Sequence, residues 1–210
     1  SIVKFFLHIL FPEVLNISEP IKLNNPNNFN ISKFGIKIYS QNEEDGIILY
    51  ILKHIGIRTK KFIEIGSESG TECNTTNLLK YFDWSGVQIE GDKELYNNAK
   101  IQLRKNLREK IKNIKLVNSF VTKKNINKII KKNFKQEVDL LSIDIDGNDF
   151  WVWKEINCIN PRLVVIEYNS FFGSERSCTI PYNPKFIWDY EKKRSYYGAS
   201  LKALEKLGRK

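Results

Sequence analysis

Acidic side chains in this 210-residue chain recur where short apolar runs stop. Lys61-Phe62-Ile63-Glu64-Ile65-Gly66-Ser67-Glu68-Ser69-Gly70 is followed by Val87-Gln88-Ile89-Glu90-Gly91-Asp92, two buried-strand patterns that each end in a carboxylate. In an open α/β sheet the first strand leads into a glycine turn where backbone approaches a ligand. The second ends in an acid that accepts both hydroxyls of a ribose. The spacing therefore suits a nucleoside cofactor, with Glu90 as its ribose clamp. Further acids and amides stand after later apolar runs: Asn118 and Ser119, Asp144 and Asp146 with Asp149, and Glu167 with Asn169. Gathered at one mouth, they could orient or deprotonate an acceptor.

Those residues must be positioned by alternating elements. Apolar runs predict strands over 61–66, 86–91, 114–121, 138–145 and 162–168. The 3.6-residue period predicts helices over about 74–82, 93–108, 125–134 and 149–156. Strands separated by helices argue an α/β, mainly parallel sheet with helices on both faces, and Leu140-Leu141-Ser142-Ile143 reads as a strand buried on both sides. Before the first strand, Ser40-Gln41-Asn42-Glu43 has the capping-box pattern. It would open a helix with the stripe Ile47, Ile48, Ile51, Leu52 and Ile55, closed by Gly56. Residues 1–36 form an N-terminal extension and linker: Phe5 to Phe11 is an apolar arm too short to span a bilayer, and 16–33 is rich in Asn and Pro. The catalytic domain is expected over 37–210, and no transmembrane segment is expected.

With 34 Lys and Arg against 24 Asp and Glu, the formal net charge is +10. The lysines are densest over 100–135, which favours anionic partners. Lysine, asparagine and isoleucine are, however, abundant along the whole chain, so a solvated lysine face is favoured over a nucleic-acid groove. Cys73, Cys158 and Cys178 have neither CxxC spacing nor even number, which excludes a disulfide framework and a zinc ribbon and points to a reducing, cytoplasmic compartment.

The first turn decides the cofactor class. A dinucleotide fingerprint reads GxGxxG, but in Gly66-Ser67-Glu68-Ser69-Gly70 the middle glycine is replaced by an anion. Glu68 would repel a pyrophosphate and attract a ligand carrying a sulfonium and an amino group, so S-adenosylmethionine fits better than NAD. Four motifs in order, Tyr39-Ser40-Gln41 with Glu44-Asp45, Glu64-x-Gly66-x-x-x-Gly70, Ile89-Glu90-Gly91-Asp92 and Leu141-Ser142-Ile143-Asp144-Ile145-Asp146-Gly147, resemble class I S-adenosylmethionine-dependent methyltransferases of the FkbM type. The resemblance covers roughly residues 37 to 208. It implies a Rossmann-like methyltransferase fold and methyl transfer to hydroxyl oxygens of saccharides or natural products. It also implies that Glu64, Gly66 and Gly70 hold the methionine part, that Glu90 holds the ribose, and that Gln41 to Asp45 covers the cofactor; Ser119 is a further cofactor candidate. Enzymes of this type continue into two more strands after a helix like that marked by Leu201, Leu204 and Leu207, so the sheet is expected to lack its C-terminal strands.

Methyl transfer to a hydroxyl needs in-line alignment and a base or metal. His8 and His54 fall in helical patterns remote from the strand ends, which leaves Asp144 and Asp146 as catalytic candidates. Asp144, Asp146 and Glu167 also form an oxygen-ligand set suited to Mg²⁺, while Asp146-Gly147-Asn148-Asp149 reads equally as the turn and cap of the next helix. For the acceptor, Glu167, Tyr168, Asn169 and Phe172 are candidates. Trp151, Trp153, Phe171 and Tyr182 are available for an apolar wall, although Trp153 reads better as helix packing. Segment 170–197, with Tyr196-Tyr197, reads as a substrate-gating insertion. Two competing functions remain: a nucleic-acid-binding protein or RNA methyltransferase that uses the lysines, and a non-catalytic remnant. Self-association into a homo-oligomer is left open.

Overall fold

The computed structural model describes residues 30–209 except Gln136, Tyr190 and Lys193, so the apolar arm at Phe5 to Phe11 lies outside the described residues. Five strands, β1 (Lys61–Ile65), β2 (Ser85–Glu90), β3 (Ile114–Asn118), β4 (Leu140–Ile143) and β5 (Leu163–Ile166), pair in parallel in the order β3-β2-β1-β4-β5. Helices α1 (Glu44–Ile55), α2 (Thr76–Tyr81), α3 (Lys93–Leu107), α4 (Ile126–Asn133) and α5 (Asp149–Glu155) alternate with them, and α6 (Leu201–Gly208) follows a long connection. The order reverses between β1 and β4, and ligands bind at such a switch point beyond the carboxyl ends of the strands.

Alternation along the central strands divides the core between two faces. Phe62 and Leu140 pack with Ile48, Leu52, Leu79, Trp84 and Leu103. On the other face, Ile63, Ile65, Leu141 and Ile143 pack with Val87, Ile126, Ile130 and Val152. Burial on both sides explains why these strands read as continuous apolar runs. One polar row interrupts the first face: Ser142, Glu64 and Gln88 are register neighbours across β4, β1 and β2, and all three are buried. A buried polar row must find partners locally, and it is roofed by Asn74 and Thr75 just before α2.

Two local expectations change. The capping box does not form: α1 starts at Glu44 behind Glu43, which makes no side-chain cap. Ser40 and Asp45 pair instead. Asp45 N–H donates to Ser40 Oγ at 3.1 Å, and Asp45 Oδ2 accepts from the backbone of Ile38, Tyr39 and Ser40 at 2.8, 2.6 and 2.8 Å. The carboxylate thus satisfies three donors that a single serine could not. Packing also begins before Lys37, since the Phe34 ring stacks on Tyr50 at 3.7 Å between centroids. No helix among the described residues is long and apolar enough to cross a membrane.

Candidate functional site

The turn after β1 is built by close backbone approach. Gly66 has φ +84°, and a Cβ there would lie 1.5 Å from the carbonyl oxygen of Asp144. Glycine is thus required because the ends of β1 and β4 touch at the switch point. Glu68, which replaces the central glycine of a dinucleotide loop, also has positive φ, +45°, as does Asp146 at +56°. A non-glycine residue in that region costs on the order of 1 kcal/mol, so both acids are held at the mouth against local preference.

Glu64 is buried behind this turn. Its Oε1 accepts from Asn74 N–H at 2.8 Å, and its Oε2 accepts from Thr75 Oγ1 at 2.5 Å and Gln88 Nε2 at 2.9 Å. Burial outweighs these bonds and lifts its pKa to about 7. With both oxygens engaged internally, Glu64 positions the 66–75 loop. The loop, not the Glu64 side chain, faces the mouth. Glu90 sits one strand over and 8 % exposed. Its Oε2 accepts from Glu68 N–H and its Oε1 from Asp92 N–H, each at 2.7 Å, bracing the β1 and β2 loops against one another. Each carboxylate oxygen retains a further lone pair. Ser119 is held beside it through its N–H to Glu90 O at 2.9 Å.

At the ends of β4 and β5, carboxylate oxygens of Asp144, Asp146 and Glu167 lie within 4.8 Å of one another. Glu167 Oε2 is buried without a hydrogen-bond partner among the described residues. Desolvation raises the pKa of both Asp144 and Glu167, and mutual repulsion with Asp146 and Asp149 raises them further. Asp144 is itself solvent-exposed at the mouth, which moderates the shift. Glu68 is raised by burial and then by Asp146, Glu72 and Glu90. Asp149, in contrast, is spent on the turn: Oδ1 accepts from Ile145 N–H and Oδ2 from Gly147 N–H, both at 2.8 Å. The turn part of the alternative reading thus falls on Asp149, while the helix cap does not form, since the N-cap residue Asn148 makes no side-chain cap.

Three expected site residues are not brought to this cluster. Asp45 is buried beside α1, where the backbone of Ile38 to Ser40 engages its Oδ2 and its Oδ1 has no partner among the described residues, and Gln41 lines a shallow hollow with Lys37, Asn42 and Glu43. Asn169 is buried, donates through Nδ2 to the carbonyls of Ser195 and Tyr197 at 2.9 and 2.8 Å, and accepts from Phe171 N–H. It anchors the 170–197 segment. Tyr168 and Phe171 are 48 % and 62 % exposed at the rim, and Phe172 is half-buried in the 3-10 turn Ser170–Phe172. The segment is pinned at further points: Trp151 Nε1 donates to Ile180 O at 2.9 Å and Asn148 Nδ2 to Asn183 O at 2.8 Å, while Phe186 covers Gly147 so closely that a Cβ there would lie 2.4 Å from its ring. Trp153 packs between α5 and α6 against Gly208, as helix packing requires. Phe186 has no spacing signal in the sequence. Only the fold places it over the Asp146-Gly147 turn.

No family profile matches the sequence, and no curated protein matches it. Solved structures do show a likeness. The O-methyltransferase TomG from Streptomyces achromogenes, involved in tomaymycin synthesis and solved with S-adenosylmethionine, is 15% identical with a TM-score of 0.48, over 82% of this chain and 74% of that one. The N-terminal domain of EvdMO1, solved with S-adenosylhomocysteine bound, is 10% identical with a TM-score of 0.47, over 97% and 84%. Human methyltransferase 10 domain containing protein is 19% identical with a TM-score of 0.39, over 47% of this chain, and the match spans less than half, 45%, of that protein's chain. The sheet itself carries the architectural conclusion: five parallel strands in the order β3-β2-β1-β4-β5, reversing between β1 and β4, make a Rossmann-like fold.

Proposed function

We propose that the chain is an S-adenosylmethionine-dependent methyltransferase, of the FkbM-type group its motifs resemble, which transfers a methyl group to a hydroxyl of a saccharide or natural product. The observation that carries this reading is the meeting, at one switch point, of the Gly66 turn, Glu90 and the carboxylates of Asp144, Asp146 and Glu167. Glu90 accepts the ribose hydroxyls, while the 66–75 loop lies along the methionine part and Glu68 faces its positive charge. Asp144 and Asp146 stand where an acceptor hydroxyl would approach the methyl carbon. One of them takes the hydroxyl proton as the oxygen–carbon bond forms and the carbon–sulfur bond breaks. Tyr168, Phe171 and Phe172 supply the apolar rim for a ring face.

A second reading of the same carboxylates is a divalent-cation site. Their all-oxygen donor set within 4.8 Å fits a hard ion such as Mg²⁺. When bound, such an ion would lower the proton affinity of the acceptor hydroxyl. Calorimetry with S-adenosylhomocysteine and with NAD tests the cofactor: saturable binding of the first alone is expected, and comparable binding of NAD would remove the assignment. Loss of turnover in chelator with recovery in Mg²⁺ would select the cation reading, and unchanged turnover would select the proton-acceptor reading.

A further inference from the structure

Lysines gather at the end of the sheet away from the mouth, beside β1, β2 and β3. A shallow, open cleft of about 540 Å³ lies beside the amino ends of these strands, and Lys61, Lys112, Lys115, Lys132 and Lys135 line it with no acidic side chain among them. Lys61 is half-buried and donates to Ser85 Oγ at 2.5 Å. Among the described residues, ion pairs engage other cations: Lys110 with Asp83, Arg162 with Asp139, Lys192 with Asp189, and Lys202 and Arg209 with Glu205. Lys131 and Lys132 end α4, where cations ordinarily complement the helix dipole. That account does not reach Lys61 and Lys115, which stand on the strands β1 and β3 and meet the α4 lysines only through the fold. Like charges gathered on one surface repel, and an anion that neutralises them relieves that repulsion.

We propose that this cleft is a binding site for a compact polyphosphate or other multiply charged oxyanion, separate from the strand-end mouth. Ammonium groups carried by β1, β3 and α4 act as point charges on the phosphate oxygens. Asn113, Asn133 and Ser85 line the same cleft and offer neutral donors beside them. The oxyanion can be a free phosphate ester or a phospholipid headgroup, and the two sources are distinguishable.

Titration calorimetry of the full chain with inorganic tripolyphosphate at low ionic strength tests this. One saturable site is expected, and Lys115→Glu/Lys132→Glu should weaken it by at least about tenfold through loss of direct charge contacts. The control Lys185→Glu/Lys206→Glu makes the same change in net charge on exposed positions outside the cleft and should weaken it less than about twofold. Both pairs are surface substitutions, and circular dichroism checks that each folds. Equal losses in the two pairs, or no saturable heat, would overturn the proposal. Co-sedimentation with phosphatidylserine vesicles that tripolyphosphate reverses would identify the headgroup source. Binding to the free anion without vesicle binding would identify a soluble ester. Affinity for single-stranded oligonucleotides that keeps rising with length, with no competition by tripolyphosphate, would overturn the compact site in favour of an extended nucleic-acid track.

Discussion

Strand β4 is bounded by two aspartates in opposite environments. At its amino end, Asp139 is fully buried and saturated: it accepts from the backbone of Arg58, Thr59 and Lys60 and from Thr59 Oγ1 at 2.6–3.2 Å, with Arg162 Nε at 3.6 Å. At its carboxyl end, Asp144 has no side-chain hydrogen bond among the described residues, faces water, and is crowded by Asp146, Asp149 and Glu167. A buried carboxylate with all its acceptors filled is a structural clamp. One left with unused lone pairs among like charges gains stability only when a proton, a cation or a substrate arrives. The sheet thus divides its acids into those that hold the chain and those kept available.

If that division is right, Asp139→Ala should be the most damaging change to stability. It strands several buried donors and the partner charge of Arg162, and denaturant unfolding should show a loss of about 3–5 kcal/mol. The folded fraction should still bind S-adenosylhomocysteine with parent affinity. A cost below about 1 kcal/mol would break the contrast, because it would mean that water replaces the clamp.

The converse holds at the other end. Asp144→Asn or Asp146→Asn should leave the thermal midpoint unchanged or slightly raised, since each removes a repelled charge, while methyl transfer falls by about a hundredfold or more. Single-turnover rates on an identified acceptor decide this. Parent rates in both variants would return these acids to a purely electrostatic background.

Glu90 lies between the extremes, because it both braces two loops and keeps lone pairs at the mouth. Glu90→Gln retains one acceptor oxygen and the volume but loses the charge, and calorimetry should show cofactor-product affinity weakened by about 1.5–3 kcal/mol. A drop in stability with no drop in affinity would move Glu90 to the structural group.

The most gradual expected effect, spread over more than two pH units, concerns the middle of the sheet, where burial holds the Glu64 pKa at about 7 against an ordinary value of 4.5. Between those values the folded state keeps a proton that the unfolded state has released. Stability from this group is therefore full below about pH 4.5 and is lost as pH rises through about 7. Denaturant unfolding across that window should show a decline on the order of 3 kcal/mol that is shallower in Glu64→Gln. Equal slopes in the two proteins would show that Glu64 is ionised throughout.

Several of these features were legible in the residues alone. The alternation of continuous apolar runs with 3.6-period segments placed all five strands and the helices between them, because burial on both faces leaves that pattern in any parallel sheet. The ladders are shorter than the runs, with β4 over Leu140–Ile143 inside the expected 138–145, because Asp144 departs toward Gly66 at the switch point. The strand-end acids were visible as acids, and Glu90 and Asp144 as members of one mouth.

What each acid does was not visible, since Asp45, Glu64, Asp139 and Asp149 are acids as Asp144 is, and what separates them is which backbone N–H groups the fold turns toward them. Asn169 shows the same gap, reading as a substrate contact until the returning segment at Ser195 and Tyr197 occupies its amide. Local sequence determined the kind and order of elements because periodicity and propensity act over a few residues. Strand order, the partition of acids into clamps and open groups, and the gathering of lysines at the opposite end were decided by tertiary structure, because each depends on groups tens of residues apart meeting in space.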